Sequence, residues 1–265
     1  MSAPVITFLS DYGLQDDFVG VCHAVIAGIC PEARVIDLVH WVPRGDVRAG
    51  AVILRGALPY LPIGIHLAVV DPGVGSDRRG VALRAADGRL LVGPDNGLLS
   101  PAADRAGGVV EAVDIGRSPF ALPGVSATFH GRDIFAPVAA RLAAGAAFAD
   151  AGERCDPGGV VTLELPVARV EGRFLVTHVV YVDRFGNVQL DVEEPAFEVG
   201  AVLEVMVGSG RSERARYAST FAEAGAGELM LYEDSYRRLS VAVNQGDAAA
   251  RLELAVDDEL RIRLP

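Results

Sequence analysis

The sequence predicts two domains, an α/β N-terminal domain with a mostly parallel central sheet and a smaller all-β, barrel-like C-terminal domain. Three observations carry this. Up to about residue 150, short apolar runs alternate with helix-length apolar patterns, which is how βαβ units read in sequence. From about residue 168 the runs are short, β-rich and divided by Gly, Asp, Asn and Pro, as in an antiparallel barrel or sandwich. A turn-rich segment, GERCDPGG, lies between them, which places the domains at 1–160 and 168–265.

The N-terminal elements follow in order. PVITFLS reads as a strand and DDFVGVCHAVIAGIC as a helix, with Asp16 and Asp17 in its first turn, where a carboxylate complements the helix dipole. RVIDLVH is the next strand, DVRAGAVILRGALPYL a helix, and GIHLAVVD a strand. RLLVGPDNGLLS carries a further strand into a polar turn, and DIFAPVAARLAAG is a helix; Pro31 and Pro43 act as breakers between elements. In the second half, VVTLELP, RFLVTHVVYVD, NVQLDV, VLEVMVG, ELMLYED, RLSVAVNQ and LRIRL read as strands.

Composition narrows the function. Although 51% of the 265 residues are hydrophobic, no charge-free run reaches the length of a membrane span, and Asp11 arrives before any signal-peptide pattern forms. A cytoplasmic protein without a membrane partner is expected. All 24 basic residues are Arg, and against 35 acidic residues they leave a net charge of −11, which disfavours nucleic acid. Cys22, Cys30 and Cys155 are odd in number and lack metal-ligand spacing, so they are expected to be plain thiols, with no disulfide framework and no zinc site.

In open α/β sheets, ligands bind beyond the carboxyl ends of the strands. The polar residues of this chain gather there. FLS ends in Asp11, LVH in His40 and VVD in Asp71; LVG leads to Asp95 and Asn96, and ATFH ends in His130. Each alone is weak, because an Asp after a strand is commonly a turn or helix cap. His23 and His66 are expected to sit satisfied against packed surfaces, and His178 has no assigned role. The stretch VVDPGVGSDRRG is more specific: Pro72 fixes the strand exit, Gly73 and Gly75 permit positive φ and close approach of a ligand, and an Arg seven residues after Asp71 can fold back onto it. Such pairing is expected to keep the carboxylate ionised and to lower its pKa, leaving a weak base suited to an easy leaving group.

Six fragments in order, SDYGLQDDFVG, VVDPGVGSDRRG, VGPDNGLLSP, FHGRDIFAPVAARLA, VDRFGNVQL and DSYRRLSVAVNQGDAA, resemble the S-adenosyl-L-methionine hydrolases that form adenosine. These are also called SAM hydroxide adenosyltransferases and are relatives of the bacterial fluorinase and chlorinase. The resemblance spans nearly the whole chain. It implies hydrolysis of SAM to adenosine and L-methionine by attack of water at ribose C5′, with no cofactor and no metal, in a homotrimer with active sites at subunit interfaces. It also implies roles. Asp71, Arg78 and His130 match the family's water-positioning triad, Arg78 rather than Arg79 because of the spacing; Arg79 is expected to face solvent or a loop. Asp11 matches the ribose-binding carboxylate, Asp183 the partner of the methionine ammonium, Phe185 and Phe221 the aromatics on adenine, Asn187 the group on the adenine edge, and Ser235 a contact to the methionine carboxylate. Ser235 is followed by Tyr236, Arg237 and Arg238, a departure that leaves open which group neutralises that carboxylate.

Halogenases of this kind replace the strand-tip Asp with an uncharged residue and carry a long extra loop. Here Asp71 is present, and only the short hairpin-like GVALRAADGR separates Arg79 from LLVGPDNG. Two other readings stay open at this point. Asp11, His40, Asp71 and His130 could form the cluster of a metal-dependent hydrolase, and the chain could be a non-catalytic sensor of SAM or adenosine.

Overall fold

A computed structural model describes residues 3–208 and 210–264. The chain divides into two compact units, 1–164 and 165–265. In the first, β1 (Val5–Ser10), α1 (Phe18–Ile29), β2 (Arg34–Val39), α2 (Val47–Ala57), β3 (Ile65–Val69), β4 (Gly80–Ala85), β5 (Leu90–Pro94), α3 (Ser100–Arg105), β6 (Val109–Asp114), α4 (Ala136–Ala143) and β7 (Glu153–Cys155) follow in order. Their sheet has the strand order β2-β1-β3-β5-β4-β6-β7.

The sheet is mixed. Strands β2, β1, β3 and β5 are joined by parallel ladders, whereas β5 to β4, β4 to β6 and β6 to β7 are antiparallel. The segment read as a short hairpin is the β4–β5 hairpin, and this reversal lets the chain leave the βαβ pattern without another crossover helix. Alternation along the strands supplies both faces with apolar side chains. Ile6, Phe8, Ile65, Leu67 and Val69 join residues of α1 and α4 in one core cluster. On the opposite face α2 comes so close that Gly50 lies against Leu9, Val70 and Leu98. Helices on both faces with β1 between β2 and β3 create a topological switch point at the carboxyl ends of β1 and β3. Ser10 pairs with Val69 there, so Asp11 and Asp71 leave neighbouring strand tips.

The second unit contains β8 (Arg169–Glu171), β9 (Phe174–Val182), β10 (Val188–Glu193), β11 (Val202–Val207), β12 (Arg211–Tyr217), β13 (Leu229–Glu233), β14 (Arg238–Val243), α5 (Ala248–Leu252) and β15 (Glu259–Arg263). Seven of these strands close a barrel in the order β10-β14-β13-β12-β11-β15-β9, with β9 pairing back to β10 and β8 appended to β9. Closure removes the free edges that an open sheet exposes. Val179, Leu190, Leu203, Val205, Leu231, Val241 and Ile262 fill the interior.

Two strand assignments change. VVTLELP is extended but joins no ladder among the described residues; the Val161 N–H donates to the Asp95 carboxylate and the Leu163 N–H to the Ser100 hydroxyl, which straps residues 161–163 onto neighbouring loops within the first unit. Conversely RSERARY is β12, a strand with no apolar run, because only Ala215 and Tyr217 turn fully inward. The helix caps also differ from expectation. Asp17 occupies the N-cap of α1 without a side-chain cap bond, while Asp46 caps α2 by accepting from the Ala49 N–H at 2.9 Å. Asp46→Ala is therefore expected to cost about 1 kcal/mol in urea unfolding of the N-terminal unit, and Asp17→Ala less than about 0.5 kcal/mol; equal losses would contradict this difference.

Candidate active site

Asp71 leaves β3 into a tight loop. The Val74 N–H donates to the Asp71 carbonyl, and the Ser76 hydroxyl donates to the Gly73 carbonyl while accepting from the Arg78 N–H. These turns bring Arg78 back onto the strand tip. Its Nε lies 3.0 Å from Asp71 Oδ1 and its Nη2 2.5 Å from Oδ2, a fork-to-fork pair in which both side chains are almost fully buried. Arg78 Nη1 also donates to the Arg79 carbonyl, and the Phe135 ring lies beneath the guanidinium. Of the two loop glycines, Gly75 alone takes positive φ, at 80°. A side chain there would strike the Ala127 carbonyl, so Gly75 lets the loop interlock with the segment that carries His130.

That segment is not the strand suggested by ATFH. It is a set of turns leading into a π-helical turn, Gly131–Phe135, and His130 stands at its start. Asp133 organises it by accepting from the Ser126 N–H and from Arg132. Gly131 is also required, because a Cβ at that position would occupy the place of the Tyr12 hydroxyl. Arg78 Nη2 reaches His130 Nδ1 at 3.2 Å. A guanidinium only donates, so Nδ1 is the accepting nitrogen and a neutral imidazole carries its proton on Nε2. The structure thus brings Asp71, Arg78 and His130 together.

The electrostatics correct one expectation. Burial raises the Asp71 pKa and outweighs the opposing effects of Arg78 and His130, so the net shift is upward, not downward. Burial, followed by the Arg78 charge, lowers the His130 pKa against the pull of Asp71 and Asp133. At neutral pH this leaves a carboxylate with more basicity than a surface Asp beside a neutral imidazole.

Neighbouring residues hold this arrangement. Asn96 donates to the Val70 carbonyl at 2.9 Å and accepts from the Leu98 N–H, pinning the end of β3. Arg79 does not simply face solvent: it forks onto Asp95 and donates to the Gly159 carbonyl. Asp11 accepts from the Gly45 N–H at 2.8 Å. The loop that provides this donor also presents Trp41, 60% exposed, a residue for which the sequence offered no functional signal. A cleft of about 570 Å³ opens beside Arg78 and His130 and is also lined by Arg79, Asp114, Arg117 and Glu153. The proposed metal-hydrolase cluster does not assemble, because Arg78 occupies both oxygens of Asp71 and His40 turns to Ser10 and Asp37.

In the second unit, the VDRFGN loop is tied by Asp183. Its Oδ1 accepts from the Phe185 and Asn187 N–H groups, and its Oδ2 accepts from the Asn187 side-chain amide at 2.8 Å. Three of roughly four acceptor positions on the carboxylate are thereby used. Phe185 is 63% exposed with Arg184 against its ring, and the Phe221 ring lies tilted at 60° against Tyr232, with centroids 5.1 Å apart. Ser235 and Arg237 are exposed, whereas Arg238 is buried against Glu193.

The other histidines and the thiols have partners or burial of their own. His23 pairs with Asp37, and His178 meets Asp191. His66 bonds Thr7 through Nδ1, but its buried Nε2 has no hydrogen-bond partner among the described residues, and burial followed by the Arg89 charge pushes its pKa down to about 4. Cys22 and Cys30 are buried and Cys155 is half-buried, all as free thiols.

Residues 6–152 match the SAM hydroxide adenosyltransferase N-terminal domain, and residues 177–261 match the C-terminal domain of the same family. This chain belongs to the SAM hydroxide adenosyltransferase family. It is 51% identical to an "(R)-S-adenosyl-L-methionine hydrolase" of Salinispora tropica, over 98% of this chain and 97% of that one. A fluorinase of Nocardia brasiliensis is more distant, at 27% identity over 98% of this chain and 97% of its own. Among solved structures, an uncharacterized conserved protein from Thermotoga maritima superposes with a TM-score of 0.91 at 35% identity, covering 97% of this chain and 99% of that one.

Removing the cation from a buried pair leaves a charge without compensation. Arg78→Ala is expected to destabilise the N-terminal unit by about 3–5 kcal/mol at neutral pH. The penalty should shrink on acidification, since protonation of Asp71 discharges the orphaned group; urea unfolding at both pH values tests this, and a pH-independent loss would contradict it.

Proposed function

We propose that this protein hydrolyses S-adenosyl-L-methionine to adenosine and L-methionine, with Asp71, Arg78 and His130 positioning the attacking water. The observation that carries the reading is the buried Asp71–Arg78 pair with the half-buried His130 joined to it at the strand-tip switch point, in a chain of this family. Water attacks C5′ in line with the sulfonium; the C5′–O bond forms as the C5′–S bond breaks. The bonding pair passes to sulfur, which leaves as a neutral thioether, and the water proton passes to Asp71 or to solvent. Because a cation departs as a neutral group, alignment and modest basicity suffice. An ionised carboxylate at the attacking position would repel halide, which favours hydrolysis over halogenation.

Asp11 is assigned to the ribose diol, whose two hydroxyls can each donate to a carboxylate. Asp183 retains room for one donor and is assigned to the methionine ammonium. Asn187 keeps one N–H and its carbonyl for the adenine edge, with Phe185 and Phe221 on the adenine faces and Ser235 at the methionine carboxylate. Of the arginines after Ser235, Arg237 is the exposed one and is assigned to neutralise that carboxylate. The name of the 51%-identical relative specifies the (R) sulfonium, and this epimer is proposed as the substrate here. No cofactor is invoked. A homotrimer, with active sites at subunit interfaces, and a cytoplasmic location rest on the sequence and on family resemblance. A single-chain mass by light scattering in fully active protein would contradict the trimer.

Metal-free protein incubated with each SAM epimer should release adenosine and methionine from the (R) form at the same rate with or without halide. SAM binding without product would instead support a sensor. Asp71→Asn should retain SAM binding by calorimetry and lose turnover roughly 100-fold or more; unchanged adenosine production would remove Asp71 from this role. The pH profile follows from the two shifts. Asp71 must be ionised and its pKa lies above the ordinary 3.8, while His130 stays neutral down to a pH below its ordinary 6.5. Activity should therefore rise through the acidic range and level off by neutrality, and a fall between pH 6 and 8 would contradict the assignment.

A further inference from the structure

Three ligand-bearing side chains converge outside the constellation around Asp71. His23 lies on α1, Asp37 on the edge strand β2, and His40 just beyond β2. The Nε2 atoms of His23 and His40 lie 2.8 and 3.0 Å from the same oxygen, Asp37 Oδ1. Their potential ligand atoms all fall within 4.8 Å of one another. Two imidazoles and one carboxylate form a donor set suited to borderline divalent ions, with zinc foremost.

The set is also oriented. His40 is buried, and its Nδ1 lies 2.7 Å from the hydroxyl of Ser10, itself fully buried. A hydrogen bond on the second ring nitrogen is the usual support of a ligating histidine, since it fixes the tautomer and aims the other nitrogen. The Phe8 ring packs against both imidazoles, with centroids at 4.7 Å from His40 and 6.2 Å from His23. The Asp37 and His23 side chains remain 46% and 34% exposed, which leaves an entry path and room for water.

We propose that His23, Asp37 and His40 form a binding site for a divalent transition-metal ion such as Zn²⁺, with water completing a tetrahedral shell. The ion takes no part in the attack on SAM. It clamps α1 to β2, and through His40 it reaches the loop around Asp11: Ser10 bonds the His40 ring, and the Gly13 N–H donates to the His40 carbonyl at 2.7 Å. The site does not depend on the hydrolase reading, since its ligands and its readouts are separate from turnover.

The test is a titration of metal-free protein with Zn²⁺ against a chromophoric chelator, repeated for His23→Ala, Asp37→Asn and His178→Ala. His178→Ala removes a different half-buried imidazole beside carboxylates and serves as the control. One ion per chain is expected in the wild type and in His178→Ala, with at least tenfold weaker binding in His23→Ala and Asp37→Asn. Co²⁺ should give the visible absorption of a four-coordinate site in the wild type and lose it in His23→Ala. Zn²⁺ should raise the unfolding temperature of the wild type alone among these two proteins. Absence of a tight ion, or an affinity and cobalt spectrum unchanged in His23→Ala, would overturn the proposal.

Discussion

The Asp71–Arg78 pair is the constraint on which the N-terminal site is built. A carboxylate at a buried strand tip needs a partner, and the loop after β3 is shaped to return one after seven residues. The same guanidinium then reaches His130, so a single cation fixes two other side chains and selects the accepting nitrogen of the imidazole. Burial outweighs this cation at Asp71, which leaves the group ionisable yet more basic than a solvated Asp. That balance matches the proposed reaction, in which water is aligned and partly relieved of a proton while the sulfonium departs without further help.

The surrounding elements follow from holding this pair in place. Asn96 ties the end of β3, Arg79 staples the next loop through Asp95, and Gly75 allows the loop to press against the segment bearing His130. The β4–β5 hairpin passes directly from Arg79 to the Asp95–Asn96 turn, so the chain has no long insertion near the strand tip. A positioned carboxylate and a tight loop together favour water over halide as the nucleophile.

Much of this was legible in the sequence because strand periodicity and turn residues act locally. The βαβ alternation, the strand-tip residues Asp11 and Asp71, and the spacing to Arg78 could be read directly. What was not legible depended on tertiary balance. VVTLELP has the apolar content of a strand, yet its backbone donors go to Asp95 and Ser100, while the charged RSERARY forms β12 because the barrel supplies ladder partners on both sides. ATFH looks like a strand end, but Asp133 gathers it into turns. The sign of the Asp71 shift is a competition between burial and Arg78 that spacing alone does not determine. His23, Asp37 and His40 converge across α1 and β2, and no local motif marks that convergence.

The central claim is that positioned water attacks C5′ of SAM. The most direct measurement is a reaction in ¹⁸O-labelled water with mass analysis of both products. One ¹⁸O atom in adenosine, at the 5′-hydroxyl, and none in methionine is the predicted result. Adenosine without label, or label in methionine, would contradict the account.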